Sequence, residues 1–218
     1  MTSEIDEEGY EWREEIFEEL KQLRGKVADH QGHWTEMENA LSTLLHEVVY
    51  GVDSDSRIAF AIYFSPDGFH GRQALVENAV TEFIAENAES PIDLLAHWTW
   101  IAERLGKLRR LRNLIAHGSA QAVFNDRKHV ALVLPPVFDP KVRRTANRGK
   151  QPGANIARVE REIRAVGMMT DIVREFAMAA GALRGKRMHT LREICSQLIE
   201  SQTKLDNLYS VAQTHPEQ

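Results

Sequence analysis

The apolar residues of this chain recur every three or four positions over most of its 218 residues, which is the period of an α-helix that buries one face. Such stripes are buried when helices pack against one another, so the pattern predicts a helical bundle. The predicted stripes are Trp12, Ile16, Leu20, Leu23 and Val27; Trp34, Met37, Leu41, Leu44 and Val48; Phe69, Gln73, Val76, Val80 and Phe83; Leu94, Trp98, Ile101, Leu105 and Leu108; Ile156, Val159, Ile163, Val166, Val173, Phe176 and Leu183; and Leu191, Ile194, Leu198, Leu205 and Leu208.

Glycine, proline and capping residues predict where the helices begin and end. Gly32 is expected to separate the first two helices, because glycine weakens a helix interior. Ser90 is expected to cap the helix that begins at Pro91, since serine is a favoured N-cap and proline fits the first helical position. Gly118 is expected to end that helix in the left-handed conformation that glycine commonly adopts there.

The period of the apolar residues changes once. Ala122–Phe124, the turn-like letters NDRK and a second apolar run from His129 predict a short β-hairpin. A loop rich in Pro, Gly and Arg follows at 139–155. The predicted fold is therefore an all-α helical bundle with one short inserted β-hairpin. Its expected organisation is an acidic helical segment at 1–32 and a helical domain at 33–212, with the hairpin and basic loop at about 121–155.

The net charge of −5 conceals a strong asymmetry. Residues 104–161 contain fourteen Lys or Arg against three acidic residues, and such a region attracts polyanions. Residues 1–20 contain nine acidic residues against one Arg, so this segment could shield the basic region in the same or a partner subunit. The alternative is that neither region binds anything, so that the basic face and the acidic N-terminal segment are simply exposed to solvent.

Composition also indicates the cellular compartment in which the protein is expected. No apolar run approaches the roughly 20 residues of a membrane span, and the N-terminus is acidic where a signal peptide is basic. We therefore expect a cytoplasmic protein with no membrane partner. Cys195, the one cysteine, is interpreted as a small buried hydrophobe because it lies beside Ile194 and Leu198.

One charged residue falls on an apolar stripe. Continuing from Leu108 by helical steps leads to Arg112 and then to Ile115. An unpaired guanidinium in a core is very costly, and the nearest charges on the same helix are positive, with Glu103 too far along it to pair. The sequence favours an open anion-binding surface or an interface at Arg112, although an acid from another helix, such as Glu77 or Glu82, could neutralise it.

A histidine follows five residues later, at the predicted end of the helix. His117 and Arg112 are about 140° apart around an ideal helix, so one copy cannot direct both at one phosphate. Asn113 and His117, four residues apart, share a face. Two arrangements would bring the arginine and histidine together: unwinding of the last turn at Gly118, or an antiparallel second copy in a two-fold dimer.

The letters RNLIAH at 112–117 resemble the R-x4-6-H signature of the HEPN superfamily, helical-bundle proteins of prokaryotic toxin, antiphage and RNA-processing systems. The resemblance covers about residues 34–208 in helix order. It implies that Arg112, Asn113 and His117 form the active constellation and that two protomers meet through the motif helix. It also implies a metal-independent endoribonuclease that needs no cofactor.

The spacing alone is weakly specific. It also occurs at Arg24 with His30, at Arg184 with His189 and at Arg110 with His117. Context distinguishes Arg112, because it is followed by Asn and because AHG closes its helix.

The residue types suit cleavage of RNA. His117 can accept the proton of a ribose 2′-hydroxyl or protonate the leaving 5′-oxygen, because an ordinary histidine titrates near neutral pH. Arg112 can bind the scissile phosphate with two parallel hydrogen bonds and stabilise its growing charge. Asn113 can hold the imidazole or a phosphate oxygen. The expected products are a 2′,3′-cyclic phosphate and a 5′-hydroxyl end.

Each of these residues also has a structural interpretation. Arg112 could form a salt bridge, His117 could interact with the helix dipole, and Asn113 could be a polar surface residue. The pair His30 and His33 has ligand side chains but lacks strong metal spacing, so no metal site is predicted.

The sequence thus predicts a dimeric, metal-independent endoribonuclease of a toxin or antiphage defence type, with RNA as partner and an antitoxin or regulatory protein as a further one. The alternative is a non-catalytic HEPN-like helical module that binds RNA or a partner protein. A third interpretation is a purely structural helical adaptor. The candidate RNA-binding residues are Lys107, Arg109, Arg110, Lys141, Arg143, Arg144, Arg148 and Lys150.

Overall fold

A computed structural model places most of the chain in helices, with one antiparallel hairpin among the described residues. This confirms the predicted all-α fold with a short β-hairpin. The elements are α1 Glu7–Val49, α2 Ser56–Phe64, α3 Gly68–Glu86, α4 Leu94–His117, β1 Ser119–Asn125, β2 Lys128–Leu134, α5 Ile156–Arg184 and α6 Met188–Thr214. The structure describes residues 7–51, 55–90, 92–125, 128–134 and 153–214, with side chains for 14–51, 55–90, 92–122, 131–134 and 153–210.

Helix α1 is continuous through Gly32, so the predicted break at that residue is wrong. Glycine in a helix interior costs only about 1 kcal/mol relative to alanine, which packing outweighs when both flanks are buried. His30 and Trp34, on either side of the glycine, are 1% and 4% exposed. A single helix therefore carries both of the apolar stripes that the sequence placed on two helices.

Both predicted ends of α4 need correction. The helix begins at Leu94, not at Pro91, and the carboxylate of Asp93 accepts a hydrogen bond from the backbone N–H of Ala96 at 3.0 Å. Asp93 is therefore the capping residue instead of Ser90. At the other end Gly118 does follow the helix, but its φ is outside the positive range.

The hairpin confirms the predicted strands and lengthens the first one. Ser119 lies opposite Leu134 and Asn125 lies opposite Lys128 in the antiparallel register. β1 thus starts two residues after the end of α4, with Gly118 as the connection. The end of the motif helix is therefore tied directly to the hairpin.

The second edge of β2 is also occupied. Val133 and Ala154 exchange two backbone hydrogen bonds of 2.9 and 3.0 Å, so the end of the predicted 139–155 loop returns to the hairpin. Beside this bridge, the backbone N–H of Ala131 donates to the carboxylate of Glu19 at 3.2 Å. These contacts satisfy two amides that an unpaired edge strand would leave open.

The described residues divide into two compact units, one within 1–32 and 110–163 and the other within 33–109 and 164–218. Each has its own apolar cluster. The first is formed by Ile16, Leu20, Leu23, Leu111, Ile115, Ala131, Val133, Ala154 and Val159. The second includes Trp34, Met37, Leu41, Leu44, Tyr63, Val76, Val80, Leu94, Trp98, Ile101, Leu105, Leu108, Met169, Ile172, Val173, Phe176, Leu191, Ile194, Leu198 and Leu205.

A polar contact joins α4 to α6 inside the second unit. Arg104 and the indole N–H of Trp100 both donate to the carboxylate of Asp206, at 2.5 and 3.3 Å. Trp98 is buried, as predicted, whereas Trp100 is half-buried and uses its polar edge. Cys195 is buried as predicted, and burial raises the pKa of its thiol.

None of the described helices combines the length and the apolar content that a bilayer crossing requires.

Candidate functional site

The buried seam of α4 passes beside Arg112 and not through it. Leu108, Leu111 and Ile115 are 2%, 4% and 3% exposed, so the buried positions advance by three and then four residues. Arg112 is half-buried at the margin of this seam. The predicted step of the stripe from Leu108 to Arg112 is therefore wrong, because Leu111 takes the buried position.

Arg112 has no carboxylate partner in the described part of the chain. Its guanidinium donates a long hydrogen bond of 3.4 Å from Nη1 to the side-chain oxygen of Asn113. Leu111 and Ile115 anchor the helix in the first apolar cluster on either side of the arginine. The guanidinium is therefore held at a fixed place while most of its donors remain available to an anion.

Asn113 and His117 are both exposed and lie one turn apart on the same face of α4. The helix remains regular to its end, since the N–H of Gly118 donates to the carbonyl oxygen of Leu114 at 2.7 Å. The alternative in which the last turn unwinds is therefore wrong for this conformation. Arg112 stays about 140° from His117 around the helix axis.

Gly118 follows the helix, and the close approach of neighbouring backbone atoms explains why this residue is a glycine, since its φ is not positive. A Cβ at Gly118 would meet the carbonyl oxygens of Leu114 and Leu134, the second at 2.6 Å, and Cγ1 of Val133 at 2.9 Å. Any larger residue would push β2 away from the end of α4. The hairpin therefore fixes the position of His117, which is the residue before this contact.

The acidic segment takes part in the same unit. The carboxylate of Glu19 accepts the Ala131 amide of β2, and Lys26 lies 3.2 Å from the carboxylate of Glu160 on α5. Neither contact could be foreseen from the sequence, where Glu19 is one of nine similar acids. Glu14, Glu15 and Glu18 have exposed side chains, so negative charge lies along the outside of α1.

The candidate RNA-binding residues on α4 differ in availability. Lys107 and Arg110 are exposed. Arg109 is half-buried, and its Nη1 donates to Nδ1 of His70 at 2.6 Å, a contact that requires the tautomer with the proton on Nε2. The remaining candidates lie outside the described residues: Lys141, Arg143, Arg144, Arg148 and Lys150.

Two of the three other pairs with the same spacing, Arg24 with His30 and Arg184 with His189, do not resemble an open site. His30, which would pair with Arg24, is 1% exposed. Arg184, which would pair with His189, donates from Nη2 to the backbone oxygen of Val48 at 2.7 Å and covers the ring of Phe83. Its side chain therefore holds the end of α1 in place.

Within the part of the chain that the structure describes, no group of three or more His, Cys, Asp or Glu side chains is placed to hold a metal ion. Comparison of the chain with family models, with curated proteins and with solved structures found no match. The functional assignment of the α4 terminus therefore rests on the chemistry of its residues.

Proposed function

We propose that the protein is a metal-independent endoribonuclease that acts as a dimer through α4, in the manner of the HEPN superfamily. The observation that carries the proposal is Arg112, a half-buried guanidinium without a carboxylate partner among the described residues, five residues before an exposed histidine on the same helix. An arginine anchored in this way is suited to bind a phosphate, and a nearby imidazole can transfer protons at neutral pH.

Each residue has a defined part in the proposed reaction. His117 accepts the proton of the 2′-hydroxyl, whose oxygen attacks the adjacent phosphorus, or it donates a proton to the departing 5′-oxygen. Arg112 binds the non-bridging oxygens and stabilises the charge that grows on them. Asn113 orients the imidazole or holds a phosphate oxygen. The bond from phosphorus to the 5′-oxygen breaks, leaving a 2′,3′-cyclic phosphate and a 5′-hydroxyl.

A second copy of the chain completes the proposed site. In one protomer Arg112 and His117 point about 140° apart, so the two groups reach one phosphate only when they come from different protomers. A two-fold axis beside the end of α4 would place each arginine near the partner's histidine. The biological setting that fits this chemistry is a cytoplasmic toxin or antiphage defence protein controlled by an antitoxin or regulatory protein.

The test is cleavage of RNA by the purified full chain in excess chelator. We expect cleavage to persist and the products to end in a cyclic phosphate and a 5′-hydroxyl. Loss of cleavage in chelator, or 5′-phosphate products, would reject the mechanism.

The second candidate is a non-catalytic helical module that binds RNA or a partner protein. The exposure of Asn113 and His117 on one face and the separation of Arg112 from that face favour it for an isolated protomer. This candidate predicts RNA binding that weakens steeply with salt, without any cleavage.

A further inference from the structure

A cavity of about 610 Å³ lies in the second unit, between the later part of α1 and helix α2. Its size falls in the range of small-molecule sites. Its lining residues do not include Arg112, Asn113 or His117. The residues that define its chemistry are Asn39, Ser42, Thr43, His46, Arg57 and Phe60.

The α1 wall of this cavity is a polar stripe along one face of the helix. Asn39, Ser42, Thr43 and His46 follow the helical steps of three, four and seven residues, so they share one face. Ser42 and His46 are the buried residues of this face, 4% and 8% exposed, and the ring of His46 already packs near that of Tyr50. Asn39, Ser42 and Thr43 therefore place hydrogen-bonding groups along one side of the cavity, which is open to solvent.

The hydroxyl and amide groups of this stripe keep hydrogen-bonding capacity. Thr43 donates its hydroxyl proton to the backbone oxygen of Asn39 at 3.0 Å, which leaves the hydroxyl oxygen as an acceptor. Ser42 has no hydrogen-bond partner in the described residues, and the amide of Asn39 is exposed. The wall thus offers both donors and acceptors over about two helical turns.

The α2 wall supplies an aromatic surface and little net charge. The ring of Phe60 is 49% exposed and is supported on one side by Phe64, with 4.5 Å between the ring centroids. The guanidinium of Arg57 is already bound to the carboxylate of Asp55 at 2.5 and 2.8 Å. A phosphate at this wall would meet that carboxylate, whereas a neutral planar ring would meet the exposed face of Phe60.

We infer that this cavity binds a nucleobase, stacked on Phe60 and hydrogen-bonded along its edge to the stripe on α1. A planar heterocycle with donors and acceptors on one edge uses both walls, and an asparagine amide can contact adenine at two points. A saturated apolar ligand would leave Ser42 and Asn39 without partners. The base can belong to a free nucleoside or to an unpaired nucleotide of a single strand, which share this chemistry.

The test uses the full chain with adenosine as the probe and ribose 5-phosphate as the comparison, in saturation-transfer NMR. We expect transfer to the protons of the adenine ring and none to ribose 5-phosphate. Transfer to both molecules alike, or to neither, would overturn the inference.

Variants locate the binding. Phe60→Ala should weaken adenosine binding by about tenfold, as loss of one stacking contact does. Asn39→Asp, which removes the amide donor at similar size, should also weaken it. The matched control is Ile62→Ala, which changes another exposed apolar residue of α2 that does not line the cavity. Equal effects of Phe60→Ala and Ile62→Ala, with both variants folded by thermal denaturation, would contradict the assignment.

Competition distinguishes the two sources of the base. A tetradeoxyadenylate lacks the 2′-hydroxyl, so the proposed nuclease reaction cannot consume it. If the tetradeoxyadenylate displaces bound adenosine at lower concentrations than unlabelled adenosine does, the result would support a base within a strand. Binding of adenosine without displacement by the strand would support the free nucleoside.

Discussion

The backbone oxygen of Leu134 lies 2.6 Å from the point that a Cβ would occupy at Gly118. The last residue of β2 therefore approaches the end of α4 as closely as a hydrogen atom permits. This approach places the hairpin directly beside His117 and makes the glycine part of the candidate site.

Replacing Gly118 by alanine should destabilise the protein. The added methyl group would overlap the carbonyl oxygens of Leu114 and Leu134, and relief requires backbone movement. We expect a loss of about 2 kcal/mol, typical of overpacking, measured by urea denaturation. The control is Gly106→Ala on the same helix, where a Cβ has no neighbour within 4 Å and a gain of about 0.5–1 kcal/mol is expected. Equal stability of the two variants would show that the approach is relaxed in solution.

Arg112→Ala and His117→Ala should each abolish RNA cleavage while leaving the fold intact, because the two side chains are half-buried and exposed rather than core residues. Arg112→Lys should also be nearly inactive, since an ammonium cannot make two parallel hydrogen bonds to a phosphate. The measurement is the rate of cleavage of a labelled RNA.

Mixing the two inactive variants tests the dimer. If each site takes Arg112 from one protomer and His117 from its partner, a mixed dimer retains one intact site. Random exchange of protomers should then restore about one quarter of the wild-type activity. The control is each variant mixed with itself. If mass spectrometry shows that the protomers have exchanged but no cleavage activity is recovered, a site shared between protomers is excluded.

Neighbouring arginines of α4 should differ in RNA binding. Arg110 is exposed, so Arg110→Ala should weaken binding and reduce the slope of log K against log salt by about 0.7, the value for one contact to a single strand. Arg109→Ala should have less effect, because a phosphate must compete with His70 for its Nη1 donor. The measurement is fluorescence anisotropy across a salt series, and a larger slope change for Arg109→Ala would contradict the assignment.

Neutralising exposed acids of α1 should strengthen RNA binding at low salt if the acidic segment shields the basic region. The suitable variant replaces Glu14, Glu15 and Glu18 together by glutamine, since all three side chains are exposed. Deletion of residues 1–20 would remove Ile16 and Leu20 from an apolar cluster and confuse the result. Glu19 is left unchanged because it binds the Ala131 amide. Unchanged affinity in the triple variant would end the shielding hypothesis.

Two glutamates near α6 should affect stability with opposite pH dependence. Burial raises the pKa of Glu175, although its hydrogen bond from Ser201 opposes this, so the unfolded chain loses that proton first. Stability therefore falls as pH rises through the window between the ordinary and the raised pKa. Glu175→Gln removes this loss, so its stability relative to the wild type should be higher at about pH 7 than at about pH 4, the two conditions of the measurement.

The matched control is Glu200→Gln. The hydrogen bond and charge of Lys204 lower the pKa of Glu200, so its contribution is present above the ordinary pKa and is lost as pH falls. Glu200→Gln should therefore lose a small amount of stability near neutral pH, where Glu175→Gln gains. Urea denaturation at the two pH values measures both, and the same sign for both variants would contradict the interpretation.

Periodicity predicted most of the fold because every described helix except the nine-residue α2 is long enough for its apolar stripe to repeat several times. The α3 stripe, for example, is buried as predicted from Phe69 to Phe83, and even Gln73 is buried, donating its amide to the backbone of Ala102 at 3.2 Å. The errors lie at single positions. Gly32 and Ser90 were judged by local preference, which packing around Trp34 and capping by Asp93 override.

The motif residues could be chosen from the sequence because their types and spacing are chemically unusual. Their surroundings could not, because they depend on contacts between distant segments. The bond of Arg109 to His70 spans two helices, and that of Glu19 to Ala131 joins residues that are 112 positions apart. One helical step was also misjudged at Leu111, which takes the buried position expected for Arg112.

The cluster beneath the motif draws Ile16 from α1, Leu111 from α4 and Val159 from α5. During synthesis on the ribosome, this cluster cannot close before Val159 has left the exit tunnel. Until then the apolar stripe at the start of α1 is exposed on the nascent chain, and contacts so distant in sequence form slowly. The motif therefore acquires its geometry late, after more than the first 159 of the 218 residues have been made.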